Sequence, residues 1–201
     1  MYREKAAFFD AQVNAGWASD SYGEAELRKL DLLFSETGSL SGKKILEPGC
    51  GTGRLTEILS QQVGNKGKVA ALDISPAMVN AAREKAGKND NTDIFVAQIE
   101  SFPVPTEKFD LIVCHQVFPH IEDKPLTLNR FNDLLVPGGK VVIFHFIDFD
   151  EINNVHRKAG SVVQNDRMPE EPEMELLFST AGLAIQFFRN DINGYFLMAH
   201  K

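Results

Sequence analysis

The sequence predicts an α/β fold in which a mostly parallel sheet carries helices on both faces and ends in an antiparallel hairpin. Short apolar strands alternate with segments of helical periodicity along most of the 201 residues, which is the pattern of parallel strands joined by crossover helices. Near the end of the chain an Asn-Gly pair separates two further strands, and this pair is typical of a hairpin turn. The pattern contains seven strands in all.

The individual elements follow from periodicity and from turn residues. The first forty residues are predicted to be helical, with a second helix that begins after Ser21 and uses Glu24 in a capping box. Strands are assigned to residues 45–47, 68–72, 93–97, 109–114, 140–147, 183–189 and 195–200. Helices are assigned to residues 52–63, 76–86, 124–135 and 173–181. The stretch 148–175 is acidic and weakly patterned, so it is predicted to be irregular up to the last of these helices.

Composition restricts the classes of partner. The formal net charge is −7, and the 21 Lys and Arg residues are scattered without a basic run. Nucleic-acid binders need a basic surface to neutralise phosphates, so we expect no nucleic-acid partner. No apolar stretch approaches the ~18 residues of a spanning helix, so we also expect no membrane partner. Cys50 and Cys114 cannot build a disulfide framework, and without a signal peptide they predict a cytoplasmic location.

The first strand runs into a glycine-rich loop, Glu47-Pro48-Gly49-Cys50-Gly51-Thr52-Gly53. Ligands of open parallel sheets bind beyond the carboxyl ends of the strands, and glycines let the backbone pass close under them. The dinucleotide fingerprint would need a third glycine at position 54, where the chain has Arg54. The phosphate-loop pattern would need Lys and then Ser or Thr after Gly53, and it fails as well.

Two acidic residues accompany this loop. The second strand ends in Asp73, twenty residues beyond Gly53, where a carboxylate can accept hydrogen bonds from both ribose hydroxyls. Glu47 lies at the start of the loop, where a carboxylate would repel a pyrophosphate and attract an ammonium or a sulfonium. A positively charged nucleoside without phosphates fits both residues, and S-adenosylmethionine is such a nucleoside.

Five segments in a fixed order resemble the class I S-adenosylmethionine-dependent methyltransferases, most closely the small-molecule branch with a bare catalytic domain. These segments are residues 47–53, 72–75, 97–103, 109–113 and 134–139. The resemblance extends over residues 43–201, and the ordered set is far more specific than any one motif. It implies a Rossmann-like sheet of seven strands and an enzyme that transfers the methyl group of S-adenosylmethionine.

The length of 201 residues and the lack of a linker-like segment predict a single domain over residues 1–201, which the resemblance makes a methyltransferase domain. Residues 1–40 would form a helical lid that contributes Trp17, Tyr22 and Phe9 to the substrate pocket. Residues 43–147 would bind the cofactor and residues 148–175 would cap the substrate, while residues 176–201 would hold the end of the last helix and the hairpin. Loops over the strand ends carry specificity, so the lid and the cap are expected to shape the pocket.

The family roles carry over to twelve residues that would bind the cofactor. They are Glu47, Gly49, Cys50, Gly51, Gly53, Asp73, Ile74, Met78, Gln98, Ile99, Glu100 and, through its backbone, His115. The glycines would lie along the methionine part and the ribose. Glu47 would face the amino end, and Asp73 would hold the ribose hydroxyls.

The adenine-binding assignments come from the same resemblance. Ile74 and Met78 would pack on one face of the adenine and Ile99 on the other. The family often has Gly-Asp where this chain has Ala97-Gln98. The exocyclic amine of the adenine would therefore be bound by the side chain of Gln98 or of Glu100. Met78 has an equal claim to being an ordinary core residue of its helix.

Histidines are the candidates for catalysis. Methyl transfer is an in-line displacement from an activated donor, so a general base is needed only when the nucleophile must lose a proton. His115 and His120 follow the fourth strand and His145 ends the fifth, so all three fall at the sheet edge where ligands bind. We expect at least one of them to face the substrate, and we expect no metal. The alternative is that they are ordinary packed or solvated histidines. A metal site built from these histidines and His156 is a further hypothesis.

Three functions compete on the sequence alone. The favoured one is a methyltransferase that acts on an O, N, S or C nucleophile of a small molecule. The alternative is a sensor that binds S-adenosylmethionine without transfer activity, and a nicotinamide-dependent dehydrogenase is the third. Arg54 in place of the third glycine speaks against the dehydrogenase. The sequence indicates a monomer or a homodimer, and it does not reveal the acceptor.

Overall fold

The computed structural model describes residues 2–201, which fall into two compact units, residues 2–98 and residues 99–201. The strands have the order β3-β2-β1 in the first unit and β4-β5-β7-β6 in the second. The sheet is mostly parallel and ends in an antiparallel hairpin, so the predicted fold class is confirmed. Between residues 2 and 201, no helix is long and apolar enough to cross a membrane.

The first unit holds three parallel strands, five α-helices and the short 3-10 helix Gly64–Lys66 in the part of it that the structure describes. Its elements are α1 (Arg3–Asp10), α2 (Gly16–Ser19), α3 (Glu24–Thr37), β1 (Lys44–Pro48), α4 (Arg54–Val63), β2 (Lys68–Asp73), α5 (Pro76–Lys85) and β3 (Thr92–Val96). Strand β2 pairs in parallel with β1 and with β3. Every residue of β2 after Lys68 is buried, as expected for a central parallel strand. The loops after β1 and β2 carry the predicted cofactor residues.

The second unit combines a parallel strand pair with the closing hairpin. Its elements are β4 (Phe109–His115), α6 (Lys124–Leu134), β5 (Leu135–His145), α7 (Phe149–Lys158), α8 (Glu171–Thr180), β6 (Ala184–Asp191) and β7 (Gly194–His200). A short 3-10 helix, Phe118–His120, follows β4. Strand β4 is parallel to β5, whereas β7 is antiparallel to both β5 and β6. The predicted histidines lie at the ends of β4 and β5 and in the 3-10 helix.

One helix was not predicted from the sequence. Helix α7 occupies part of the acidic stretch that was expected to be irregular. The Asp148 side chain caps it by accepting a hydrogen bond from the backbone N–H of Glu151 at 2.9 Å. Ile152 and His156, four residues apart, are its buried face. The high proportion of charged residues around this narrow stripe hid the helical period.

Several predicted boundaries are wrong by a few residues. Helix α3 begins after Gly23 rather than after Ser21, and the backbone N–H of Gly23 donates to the Glu26 side chain at 2.8 Å. Strand β5 begins at Leu135, five residues earlier than predicted, because the chain through the Pro-Gly-Gly turn already runs beside β4.

The hairpin is present, but its turn differs from the expected one. Asp191 pairs with Gly194, so Ile192 and Asn193 form the turn. Gln116 is the one non-glycine residue with positive φ within residues 2–201, so the turn lacks the two left-handed residues of a type I′ turn. Instead the Asp191 side chain accepts a hydrogen bond from the backbone N–H of Asn193 at 2.7 Å.

Candidate functional site

The glycine-rich loop is a left-handed turn between β1 and α4. Gly49, Gly51 and Gly53 have φ values of 71°, 52° and 81°, a region that side chains with a Cβ rarely adopt. A Cβ at Gly53 would lie 2.9 Å from the Cα of Ala82 on α5, so this glycine is also required for close packing. A Cβ at Gly51 would meet nothing within 4 Å. The loop is therefore packed on its α5 side and open above Gly51.

Asp73 holds this loop in place from the end of β2. Its Oδ2 accepts a hydrogen bond from the backbone N–H of Gly51 at 2.9 Å, and its Oδ1 accepts one from the backbone N–H of Ser75 at 2.9 Å. The residue is buried. Backbone N–H groups bonded to both oxygens fix the plane of the carboxylate, which is the preorganisation that a ribose-binding acid needs.

Glu47 behaves differently from the expectation that it is a charged neighbour of the loop. It is buried, and the Thr56 hydroxyl donates to its Oε2 at 2.6 Å. Burial raises the pKa of Glu47 to about 8; the Thr56 hydrogen bond lowers that pKa and the nearby Asp73 raises it. At neutral pH the side chain is therefore mostly protonated, and the two-carboxylate picture derived from the sequence needs this correction.

Helix α1 is fastened to the N-terminus of α5 by Asp10. The Oδ1 atom of Asp10 accepts from the Ser75 hydroxyl at 2.5 Å and from the backbone N–H of Ala77 at 3.0 Å. The Ser75 hydroxyl in turn accepts from the backbone N–H of Met78 at 3.1 Å. Asp10 thus adds a second acceptor at the start of α5, which the sequence analysis did not anticipate because 65 residues separate Asp10 from Ser75.

The segment after α1 contacts the glycine-rich loop directly. The Thr52 hydroxyl donates to the carbonyl oxygen of Ala18, and the Arg54 guanidinium donates to the carbonyl oxygen of Asp20 at 3.1 Å. The same guanidinium lies over the ring of Tyr22, 4.4 Å from its centroid. Arg54 occupies the position where the dinucleotide fingerprint would need a glycine. In this structure its side chain binds the segment between α1 and α3.

The remaining predicted cofactor residues of the first unit vary in exposure. The Cys50 side chain is buried in an apolar cluster with Val79 and Ala82, so Cys50 could contact a ligand only through its backbone. Met78 is 1% exposed and belongs to the core, whereas Ile74 is half-buried. Gln98 is exposed. Ile74 and Gln98 are therefore accessible to a ligand, and the side chains of Cys50 and Met78 are not.

Three predicted cofactor residues lie in the second unit. Ile99 is buried and begins a short 3-10 helix, Ile99–Ser101, that also contains the half-buried Glu100. His115 ends β4 and is buried. Their roles toward a cofactor remain predictions.

The His115 imidazole is enclosed by aromatic rings. It stacks on Phe144 with a centroid distance of 5.1 Å and meets the edge of Phe146 at 4.6 Å. Its Nδ1 lies 3.2 Å from the carbonyl oxygen of Phe144, so Nδ1 is the protonated nitrogen, and its Nε2 lies 3.0 Å from the amide nitrogen of Gln116. These partners assign a neutral tautomer.

His145 ends β5 and is buried as well. Its Nε2 has no hydrogen-bond partner in the part of the chain that the structure describes. Burial, followed by the neighbouring His115, His120 and His156, lowers the pKa of His145 well below its usual value. This imidazole is neutral at physiological pH.

His120 and His156 face each other, with Asp166 behind His120. The Nδ1 of His120 lies 2.7 Å from the Oδ2 of Asp166, and the Nδ1 of His156 lies 2.7 Å from the carbonyl oxygen of Ile152. The two Nε2 atoms are 3.3 Å apart. Asp166 was missed because it is 46 residues from His120 and no local pattern links them.

The position of Asp166 depends on a contact with α7. Asn153 of α7 accepts a hydrogen bond from the backbone N–H of Met168 at 2.8 Å and donates to its carbonyl oxygen at 3.4 Å. These bonds hold the segment that contains Asp166 beside α7. We name His120, His156 and Asp166 the histidine cluster.

Comparison with known proteins identifies the family. The methyltransferase domain family matches residues 39–176, well over half of the chain. The chain belongs to this family. The prediction of an S-adenosylmethionine-dependent methyltransferase is thus confirmed at the level of the family.

Individual relatives are methyltransferases of different specificity. The chain is 36% identical over 128 residues to malonyl-[acyl-carrier protein] O-methyltransferase 1 of Ilyobacter polytropus, covering 63% of this chain and 47% of the relative. It is 32% identical over 143 residues to the ubiquinone/menaquinone biosynthesis C-methyltransferase UbiE of Vibrio vulnificus, covering 65% and 55%. The chain thus spans about half the length of these curated relatives.

A solved structure supports the fold over nearly the whole chain. A SAM-dependent methyltransferase from Aquifex aeolicus superimposes with a TM-score of 0.72 and covers 97% of both chains, at 22% sequence identity. At this identity the similarity establishes the methyltransferase fold alone.

Proposed function

We propose that this methyltransferase-family protein binds S-adenosylmethionine and transfers the methyl group to an O, N, S or C nucleophile of a small molecule. The observation that carries the proposal is the loop of left-handed glycines, open above Gly51 and fixed by the Asp73 carboxylate. Such a loop lets a ligand approach the backbone closely and offers an acidic acceptor for ribose hydroxyls.

The residues of the loop fit the cofactor's chemistry. Bound S-adenosylmethionine supplies an activated methyl group on a positively charged sulfur. Gly49, Gly51 and Gly53 would leave room for it, and Asp73 would hold its ribose. Glu47 supports the same site as a buried residue that can lose its proton when a cation binds nearby, since its pKa of about 8 is close to neutrality.

General-base catalysis is assigned to the histidines of the second unit as a proposal. His145 combines a neutral imidazole with an Nε2 that has no hydrogen-bond partner among residues 2–201, so it can accept a proton. His120 remains a candidate, and its Nδ1 bond to Asp166 would hold the imidazole in one orientation. His115 is the weakest candidate because both ring nitrogens have partners.

The wider assignments are parts of the same proposal. The buried free thiols Cys50 and Cys114 support a cytoplasmic location, where thiols stay reduced. The acidic net charge of −7 supports a small-molecule acceptor rather than a nucleic acid. A monomer or homodimer remains the expected state.

Calorimetry on the purified chain tests cofactor binding. We expect measurable heat with S-adenosylhomocysteine and none with NAD. Heat with NAD and none with S-adenosylhomocysteine would overturn the proposal. Single-turnover assays with methyl-labelled cofactor against metabolite pools then separate transfer from sensing, because a sensor binds the cofactor without labelling any pool.

A further inference from the structure

The N-terminal segment is attached at two places along the edge of the sheet where the glycine-rich loop lies. At one place Asp10, the last residue of α1, accepts from the Ser75 hydroxyl just after β2. At the other place the carbonyl oxygens of Ala18 and Asp20 accept from side chains that follow β1. Strands β1 and β2 are parallel neighbours, so both attachments lie just beyond their carboxyl ends. We name residues 11–22 the strap.

Arg54 holds the last part of the strap by two different contacts. Its guanidinium donates to the carbonyl oxygen of Asp20 at 3.1 Å and lies 4.4 Å from the centroid of the Tyr22 ring. A planar guanidinium donates hydrogen bonds and stacks on an aromatic ring at the same time, whereas an ammonium is a point charge. Arg54 is the first residue of α4 and directly follows Gly53. The strap is therefore attached to the end of the glycine-rich loop itself.

The attachments of the strap also reach the two acids of the proposed cofactor site. Burial raises the pKa of Tyr22, Arg54 lowers it and Glu47 raises it, so Tyr22 lies within electrostatic range of Glu47. On the other side, Ser75 donates its backbone N–H to Asp73 at 2.9 Å and its hydroxyl to the last residue of α1 at 2.5 Å. The strap thus joins the surroundings of one acid to those of the other.

We propose that Arg54 is a positioning residue, which holds the strap beside the glycine-rich loop and thereby strengthens cofactor binding. The inference rests on the proposed function, because it assumes that the loop binds S-adenosylmethionine. A segment that is attached on both sides of a site has little freedom left to lose when a ligand binds, so the ligand binds more tightly than it would beside a free segment. The residue that replaces the third glycine of a dinucleotide fingerprint then has a function of its own.

Calorimetry with S-adenosylhomocysteine on the full chain tests this role. We expect Arg54→Ala to bind about tenfold more weakly than the wild type. Arg54→Lys should recover part of this loss, because lysine can donate to the Asp20 carbonyl but has no planar group to stack on Tyr22. Arg28→Ala is the matched control and should bind like the wild type, since Arg28 forms an exposed ion pair with Glu24 on α3 at 2.8 Å.

Tryptophan fluorescence follows the strap directly, without any assay of activity. Trp17 is the one tryptophan of the sequence, lies within the strap and is 55% exposed. Without cofactor, we expect acrylamide to quench its emission more strongly in Arg54→Ala than in the wild type or in Arg28→Ala. S-adenosylhomocysteine should reduce this quenching in the wild type, because the bound cofactor restricts the strap further.

The two measurements separate this proposal from the proposed function. The role of Arg54 is overturned if Arg54→Ala binds S-adenosylhomocysteine as tightly as Arg28→Ala, or if its Trp17 is quenched no more than in the wild type. If Arg54→Ala folds poorly, Arg54→Lys decides: weaker binding by the folded variant supports the role, and wild-type affinity overturns it. A wild type that binds no S-adenosylhomocysteine overturns the proposed function, and quenching in the unliganded chain still shows whether Arg54 holds the strap.

Discussion

The glycine-rich loop and the histidine cluster reach a defined geometry by opposite means. The loop is made by backbone: three glycines with positive φ, and N–H groups that bind Asp73. The histidine cluster is made by side chains from three separate segments, a 3-10 helix, α7 and the stretch before α8. The geometry of the loop is determined by consecutive residues of the sequence. The geometry of the histidine cluster forms only when the second unit has folded.

This difference determines how each region should respond to substitution. The glycine-rich loop should lose its conformation when a Cβ is added to one of its glycines or when the Asp73 carboxylate is removed. No other side chain can then accept the hydrogen bonds of its backbone N–H groups. A side-chain-made cluster fails in steps, since each member keeps some partners when another is replaced. The predictions below test that contrast, from the largest expected effect to the smallest.

Gly53→Ala should be the most destabilising of these substitutions. Its φ of 81° is strained for alanine, and the new Cβ would lie 2.9 Å from Ala82 on α5. We expect a loss of about 2–5 kcal/mol in the free energy of unfolding, measured by denaturant titration. Gly38→Ala is the control, because Gly38 has a φ of 75° but a Cβ there would meet nothing within 4 Å. Equal losses in both variants would show that packing against α5 is unimportant.

Asp73→Asn should weaken cofactor binding, and it should lower stability by less than Gly53→Ala, because the amide NH2 cannot accept one of the two backbone N–H bonds from Gly51 and Ser75. The amide keeps the size of the carboxylate but loses the charged acceptor, and hydrogen bonds to charged groups contribute about 1.5–3 kcal/mol. We expect affinity for S-adenosylhomocysteine to fall about 10- to 100-fold in calorimetry. Asp93→Asn is the control, because Asp93 forms an exposed ion pair with Lys68 at 2.7 Å. Unchanged affinity in Asp73→Asn would remove Asp73 from the cofactor site.

The same contrast explains what the sequence could predict. The loop, Asp73 and the alternation of strands and helices follow from local spacing and from the family resemblance, so the fold class was predicted correctly. Helix α7 was not, because its buried stripe is only Ile152 and His156 among charged residues. The hydrogen bond between His120 and Asp166 could not be predicted from the sequence, because it depends on the contact between Asn153 and the backbone of Met168.

The protonation of Glu47 could not be inferred from sequence either. A carboxyl group beside a glycine loop looks charged until its burial and its Thr56 partner are known. The folded-state pKa of about 8 lies above the ordinary value of 4.5, so the folded protein holds a proton that the unfolded chain has lost. Stability should therefore fall as the pH rises from about 4.5 through 8.

Glu47→Gln should abolish this pH dependence. The amide stays neutral, so the variant should keep its stability between pH 4.5 and 8, where the wild type should lose about 1.4 kcal/mol for each pH unit. Denaturant unfolding at pH 6, 7 and 8 measures the difference in slope. Glu57→Gln on α4 is the control and should keep the wild-type slope. Parallel curves for Glu47→Gln and the wild type would mean that Glu47 is ionised in the folded state.

Asn153→Ala should produce the smallest effect, in the side-chain-made region. It removes both hydrogen bonds to Met168, at 2.8 and 3.4 Å, and so loosens the segment that carries Asp166. We expect the free energy of unfolding to fall by about 1–2 kcal/mol, and we expect faster hydrogen exchange at the Met168 amide. Asn154→Ala is the matched control, since the Asn154 side chain donates to the exposed Glu151 side chain of the same helix, at 3.2 Å. Because His120 keeps its position in the 3-10 helix, the cluster should weaken without collapsing. If Asn153→Ala lowered the free energy of unfolding as much as Gly53→Ala, the two regions would respond alike to substitution. The distinction between a backbone-made loop and a side-chain-made cluster would then be wrong.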